Sequence, residues 1–292
     1  MTRPAVQSVE PARLRAVAET LATEAAEFVR HRRAEVFGAA AAGVSGAASG
    51  AVRSKTTPTD PVTVVDTETE RLLRDRLARL RPGDPILGEE GGGPTDPATT
   101  PHAVTWVLDP IDGTVNFVYG IPAYAVSVGA QIDGVSVAGA VADVVGRRVY
   151  SAAVGLGAHV IDDHGAEPLR CAEVGDLSMS LLGTGFGYAP RRRAAQAKLL
   201  AQLLPLVRDV RRIGSAALDL CMVAAGRLDA FYEHGLQVWD RAAGALIAAE
   251  AGARVELPAP DGAGLVVAAA PGIADELWAA LERFNGLEAI PD

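Results

Sequence analysis

The feature that most constrains this chain is a short apolar run, Val104 to Leu108, that passes without a break into Asp109-Pro110-Ile111-Asp112-Gly113-Thr114. Such a run reads as a buried strand. The carboxyl end of a strand is where open α/β sheets tend to place ligands. Pro110 cannot continue a ladder, so the chain is expected to turn there. That turn can bring Asp109 and Asp112 to one side. Two close carboxylates repel each other unless something neutralises them, and a hard divalent cation does so through oxygen ligands. Gly113 permits close backbone approach. Thr114 adds a hydroxyl, and a helix opening there would present free amides to a phosphate. On this pattern alone, a turn with a helix cap explains the two aspartates equally well.

The flanking sequence supplies the rest of an α/β chain. Residues 11 to 36 are expected to form an amphipathic helix, with Leu14, Val17, Leu21, Ala25 and Phe28 at helical spacing. An Ala/Gly/Ser-rich connector follows over 38 to 51. Val62 to Val65 reads as a short strand, and Asp66 as the cap of a helix whose stripe is Leu73, Leu77 and Leu80. After Thr114, AYAVSVGAQI, GVSVAGAVADV and RRVYSAAV read as consecutive antiparallel strands. The second half alternates: strand ends at 181 to 185, helices over 194 to 208, 215 to 226 and 239 to 252, strands in RLDAFYE and 264 to 270, and a last helix over 272 to 284. No internal repeat is visible.

Composition excludes several function classes. With 36 acidic and 27 basic side chains the net charge is -9, which argues against general nucleic-acid binding but not against a phosphate substrate. Aromatics are only 5% of the chain, so Ala, Val and Leu must fill the core. Cys171 and Cys221 read as buried free thiols, and the five histidines are scattered, so no Cys/His metal cluster is expected. There is no signal core and no membrane-length apolar segment; a cytoplasmic location is expected.

Other acids precede or follow the central motif. Glu89 and Glu90 sit between Gly88 and Gly91, where a solvated turn and a ligand-approaching loop are both possible. Asp240, after Trp239, reads as a plain helix cap.

WVLDPIDGTVNFVYG resembles the first signature of the inositol monophosphatase family, and WDRAAGALIAAEAGA resembles its second. GEE at 88 to 90, KTTPTDPVTVVD and RRIGSAALDLCMVAAGRLDAFYE match in order, so the resemblance runs from about Leu14 to the C-terminus. It implies an α/β fold of layered αβαβα type. Residues 1–160 would carry the larger, mainly antiparallel sheet and 161–292 the smaller one, together forming one family domain. It implies two or three magnesium ions held by the side chains of Glu89, Asp109, Asp112 and Asp240 and the carbonyl of Ile111. Asp66 would support a further ion through water. Gly113 and Thr114 would bind phosphate. Glu233 and the backbone at Ala216 would contact substrate hydroxyls, with Asp112 and Asp240 beside them. Lys55 would lie on a loop over the site, after a connector bulkier than the family leads one to expect. A homodimer and inhibition by lithium are also implied.

The expected chemistry is hydrolysis of a small phosphate monoester, inositol 1-phosphate foremost. Glu89 and Thr114 would position an attacking water, and a cation on Asp109, Asp112 and Asp240 would stabilise the leaving alkoxide. Fructose 1,6-bisphosphate, histidinol phosphate and a nucleotide 3'-phosphate are the alternative substrates. A different class of role, a regulatory scaffold touching the transcription machinery, stays open. Gly155-Leu156-Gly157 lacks the third glycine of a dinucleotide fingerprint and reads as a strand turn. Arg191 to Arg193, with Arg208, Arg211 and Arg212, read as solvated charge, the alternative being contact with an anionic partner or with the substrate of a neighbouring subunit; use of a bisphosphate would need an extra basic group such as one of Arg191 to Arg193. Trp106 and Trp239 read as core anchors.

Overall fold

The computed structural model describes residues 9–38, 50–55, 61–94, 103–258 and 264–290. The 38 to 51 connector therefore lies mostly outside the described residues.

Helix α1 (Val9–Phe37) lays Leu14, Ala18, Leu21, Ala22, Ala25 and Val29 against a large sheet. Strands β1 (Val52–Ser54) and β2 (Pro61–Thr63) form a small antiparallel pair leading into α2 (Val64–Leu80). The α2 stripe is Leu73 and Leu77; Leu80, expected in it, is 42% exposed because the helix is ending. The large sheet has seven strands in chain order. They are β3 (Ile86–Gly88), β4 (Val104–Asp112), β5 (Ala125–Ile132), β6 (Val135–Asp143), β7 (Arg148–Ala153), β8 (Ala158–Asp162) and β9 (Gly165–Pro168). Among the described residues only β3 and β4 of this sheet pair in parallel, which their separation in sequence permits; the others are antiparallel neighbours.

The second sheet has five strands in the order β11 (Asp209–Arg211), β10 (Leu181–Thr184), β12 (Ala230–His234), β14 (Leu265–Ala269), β13 (Arg254–Glu256). Two helices, α5 (Ala216–Ala224) and α6 (Val238–Glu250), are sandwiched between the sheets; α4 (Pro190–Leu203) and α7 (Pro271–Arg283) cover the outer face of the smaller one. The short α3 (Thr114–Tyr119) follows β4. Side-chain alternation shows the layering. On β12, Phe231 joins the core shared with α5 and α6, while Ala230 and Tyr232 join the core shared with α4 and α7. On β6, Ala138, Ala140 and Ala142 face α1 and Val141 faces the middle helices. The protein is thus a five-layer αβαβα sandwich.

The scarcity of aromatics is explained by the middle layer. A Cβ on Gly129 or Gly139 would stand 3.0 or 2.9 Å from the Cβ of Ala242 or Ala243, so α6 rides almost directly on the sheet backbone. Small residues at that contact keep the packing dense without large side chains. The helix expected over 194 to 208 begins earlier, at Pro190, because proline suits a first helical turn. The Gly155 to Gly157 stretch is a turn between β7 and β8, and the amides of Gly155 and Gly157 donate to Glu250 at 2.8 and 2.9 Å. Cys171 and Cys221 are free thiols. No helix among the described residues is long and apolar enough to cross a membrane.

Candidate active site

The ends of β4 and β12, the loops beside them and the start of α6 enclose a cavity of about 630 Å³. β4 does not end at Pro110 as the sequence suggested. It continues to Asp112 through a bulge: Asp109 is opposite Ser127 and Asp112 opposite Ala125, so two residues, Pro110 and Ile111, face one on β5. A bulge leaves ladder groups unpaired, which is where a proline fits. The extra residue re-aims the strand so that both aspartates point into the cavity. The Asp109 carboxylate takes the amide of Ile111 at 3.0 Å. Asp112 accepts from Ser215 Oγ at 2.5 Å and from the amide of Ala217 at 2.7 Å, at the N-terminus of α5.

Asp240 and Asp66 were both read as helix caps and both are corrected by the structure. Each is the third helical residue and closes a capping box. Thr63 caps α2, and Asp66 takes its amide at 2.9 Å. Gln237 caps α6, and Asp240 takes its amide at 2.7 Å. In that position each carboxylate is fixed by the backbone, and the second oxygen of Asp66 faces the Thr114 hydroxyl.

Oxygen atoms of Asp109, Asp112 and Asp240 lie within 4.8 Å of one another. Burial pushes all three carboxyl groups up. For Asp109 the charges of Glu89, Asp112 and Asp240 push further; for Asp240 those of Asp112 and Glu89 do so. Asp112 is raised to about 6, burial being opposed by its bonds from Ser215 and Ala217. Asp66 is raised to about 7 by burial, against its bonds from Thr63. Glu89 joins this group from the loop after β3, its amide held by Leu108 O at 3.1 Å. Its carboxylate pairs with Lys55 Nζ at 2.8 Å, and Lys55 also bonds Glu90.

Gly113 has φ 93°, and a Cβ there would stand 3.0 Å from Ala123 O and 3.1 Å from Gly214 O. Only glycine suits both demands. Thr114 Oγ1 is 3.1 Å from Asp66 Oδ1 and 3.0 Å from Ile111 O, and its one proton serves one of them at a time. Glu233, on β12, lines the same cavity, as does Ala216. Burial raises Glu233 to about 8 against the pull of Arg212. A Cβ on Gly185 would fall 1.9 Å from Glu233 Oε2, so the missing side chain makes room for that carboxyl.

Several lining residues escaped the sequence reading. Arg192 and Arg212 were read as solvated charge with anion or substrate contact as the alternative, and both line the cavity. Arg191 and Arg193 are exposed, whereas the first turn of α4 rotates Arg192 inward. Helical periodicity around Pro190 was the available signal. Trp106 is a core anchor as read, fully buried with Nε1 donating to Asp84 at 3.0 Å. Trp239 is instead half-buried on the cavity wall. Glu70 was not singled out at all. It is buried and accepts the amides of Glu90 at 2.7 Å and Gly91 at 2.8 Å and Arg74 Nε at 2.7 Å, fixing the loop that carries Glu89.

The family profile of inositol monophosphatases matches residues 10–287. The chain is 75% identical to the inositol-1-monophosphatase SuhB of Mycobacterium tuberculosis over the whole of both chains. It is 41% identical, over 65% of its own length and 66% of the relative's, to a Xylella fastidiosa protein named Nus factor SuhB. Among solved structures it superposes on M. tuberculosis SuhB with a TM-score of 0.81 and 70% identity, covering 95% of this chain and 99% of that one. With the inositol monophosphatase of Anabaena the TM-score is 0.76 at 30% identity, covering 93% and 96%. A profile match across nearly the whole length, together with the αβαβα sandwich and its cluster of carboxylates, makes this chain a member of the inositol monophosphatase family of phosphatases.

Proposed function

We propose that the chain hydrolyses a small phosphate monoester, inositol 1-phosphate first among candidates, with magnesium as cofactor. The observation that supports it most is the convergence of Asp109, Asp112 and Asp240 within 4.8 Å at the foot of the cavity. Buried like charges so close are costly, and the group is all oxygen, as a hard divalent ion prefers. Glu89, Asp109, Asp112, Asp240 and the Ile111 carbonyl would hold two or three ions, with Asp66 nearby as accessory. Magnesium, when bound, supplies positive charge that offsets the phosphate dianion and acidifies a water.

The chain's own residues do the rest. The Gly113 turn and the Thr114 amide would receive the phosphate. Glu89 and Thr114 would orient the attacking water, with Asp66 taking the Thr114 hydroxyl proton as a hydrogen bond. Glu233, Asp112, Asp240 and the Ala216 backbone would grip the hydroxyls of the leaving polyol. Lys55, which reaches the Glu89 carboxylate at 2.8 Å, would lie over the filled site.

The test is phosphate release from inositol 1-phosphate, fructose 1,6-bisphosphate, histidinol phosphate and adenosine 3',5'-bisphosphate, each with magnesium, with EDTA and with lithium. Magnesium-dependent, lithium-sensitive turnover led by inositol 1-phosphate is expected. Failure to release phosphate from any of them would overturn the reading. Homodimerisation is part of the same proposal and is read by light scattering. A second reading, contact with the transcription machinery, is favoured by the name of the Xylella relative; co-purification with RNA polymerase components by an Asp109→Asn variant would separate it from catalysis.

A further inference from the structure

A second cavity, of about 340 Å³, shares no lining residue with the first. It lies between the end of α1, the residue before β5 and the turn that joins β6 to β7. Three guanidiniums line it, Arg30 and Arg33 from α1 and Arg147 from the turn, and among the described residues no aspartate or glutamate does. Arg30 and Arg33 are three residues apart on one helix, so they share a face. Arg33 is fixed in place. Its Nε donates to Phe117 O at 3.0 Å, and its Cζ lies 5.8 Å from the centres of both the Phe37 and the Phe117 rings. Phe117 meets Phe37 and Tyr124 edge to face at 5.4 and 5.3 Å, which locks that support. Arg30 gives Nη1 to Val144 O at 3.0 Å.

Arginines near the C-terminal end of a helix complement its dipole and tie down neighbouring loops. That accounts for the bonds to Val144 and Phe117. It does not account for Arg33 Nη2, a buried donor with no hydrogen-bond partner. Nor does it account for Arg147, which is exposed and has no hydrogen-bond or ion-pair partner among the described residues. Arg147 also has φ 51°, a left-handed backbone where glycine or asparagine is at home. The acids closest in sequence are engaged or turned outward. Asp143 takes the Gly146 amide at 2.7 Å and faces Arg148 Nε at 3.6 Å, Glu35 pairs with Arg32, and Glu27 is exposed. Positive charge therefore converges on this cavity without a matching carboxylate in its lining.

A guanidinium fork suits the paired oxygens of a phosphate better than a hydroxyl or a single carbonyl. Three forks from two separate elements suit an anion with more than one phosphorus centre. We propose that this cavity is a binding site for a diphosphate group, either free pyrophosphate or the diphosphate of a small nucleotide. Arg147 and the Nη2 of Arg33 bind it from the turn and from the helix, with Arg30 as the third donor. A volume of about 340 Å³ falls at the small end of ligand cavities, which fits such a group. The site is independent of the reading of the carboxylate cluster.

The experiment is titration calorimetry of the full chain in EDTA at low ionic strength, with inorganic phosphate, pyrophosphate and ADP. EDTA keeps cations off the carboxylate cluster, so that end repels anions instead of binding them. The proteins are the wild type, Arg147→Gly and Arg33→Lys. Glycine accepts the left-handed backbone at 147, so that variant should fold and melt as the wild type does. Arg33→Lys keeps the charge but not the fork. Pyrophosphate should bind the wild type at least about tenfold more tightly than phosphate. Arg147→Gly should weaken pyrophosphate by about tenfold and Arg33→Lys by several-fold. ADP binding more tightly than pyrophosphate would assign the site to a nucleotide, and the reverse order to the free anion. Equal affinity for phosphate and pyrophosphate, no binding of either, or pyrophosphate binding that is unchanged in a folded Arg147→Gly protein overturns the proposal.

Discussion

The two walls of the cavity are built on opposite plans. One wall is a compact acidic set, Asp109 and Asp112 from the seven-stranded sheet and Asp240 from α6, with Asp66 of α2 behind Thr114, and each member is fixed by backbone: Asp109 by Ile111, Asp112 by Ala217, Asp240 by Gln237, Asp66 by Thr63. The wall from the five-stranded sheet is assembled from separate loops, with glycines at 185, 187, 214 and 235 leaving space for Glu233, Arg192 and Arg212. One wall is defined by bonds to charged groups, the other by room for them. The first plan suits a task that tolerates little displacement, and the second suits recognition that can be retuned by loop changes.

The largest expected effect breaks the acidic wall. Asp109→Asn removes one of three converging carboxylates while preserving shape. Turnover should fall by about 10³-fold or more, since the interactions that offset transition-state charge are of this order. Melting in EDTA should hold steady or rise, because a buried like charge has been removed. Near-normal turnover in that variant would dismiss Asp109 as a metal ligand.

A smaller loss is expected one layer behind. Glu70→Gln keeps the size of the side chain but not two equivalent acceptors for the amides of Glu90 and Gly91. The loop carrying Glu89 should loosen, and the magnesium concentration for half-maximal activity should rise about 10- to 100-fold. An unchanged magnesium curve would show that Glu89 is placed by the Leu108 contact alone.

The opposite wall should give differently. Gly185 does not have a positive φ, so Gly185→Ala strains no backbone. The new Cβ would instead push aside the Glu233 carboxyl, the far end of a flexible side chain. KM for inositol 1-phosphate should rise several-fold, up to about tenfold, with folding stability little altered. Loss of folding would mean that this wall is as rigid as the other.

The same contrast decides how much was legible in the sequence. The strand into Asp109 and Asp112, the antiparallel run after Thr114 and the alternation in the second half were all visible, because each rests on local periodicity or a contiguous motif. The bulge at Pro110 was not, because a proline says only that one ladder bond is missing and not whether the strand resumes. Asp66 and Asp240 were placed one turn wrong: an acid near a helix start fits the cap or the third position, and the neighbours Thr63 and Gln237 decide. Arg192 was misread because successive helix residues point about 100° apart, and which of Arg191, Arg192 and Arg193 turns inward depends on packing far away in sequence; Trp239, read as a core anchor, stands on the cavity wall because the start of α6 opens onto it. Glu70 showed locally only an i,i+4 pair with Arg74; the amides it holds are 20 and 21 residues distant.

The smallest expected effect concerns stability rather than rate, and it tests whether the acidic wall is under electrostatic load without its cations. Burial holds the carboxyl groups around the cavity above their ordinary range, Asp109 and Asp240 among them, with Asp66 raised to about 7, Asp112 to about 6 and, on the opposite wall, Glu233 to about 8. Burial leads at these last three, opposed at Asp66 by the bonds from Thr63, at Asp112 by those from Ser215 and Ala217 and at Glu233 by the charge of Arg212, while Glu89 adds to the rise of Asp66 and Asp112. A raised carboxyl pKa means that the folded protein holds the proton more tightly than the unfolded chain does. Its stabilising contribution is complete below the unfolded value near 4 and is lost as pH rises through the folded value. In EDTA the melting temperature should therefore fall by a few degrees between about pH 5 and pH 8. Magnesium competes for the same oxygens as the protons, so the stabilisation it adds should grow across the same window. Thermal melts at several pH values, with and without magnesium, read both slopes. A melting temperature in EDTA that climbs with pH would show that these carboxylates are already compensated within the protein, and the acidic wall would then need no cation to hold its shape.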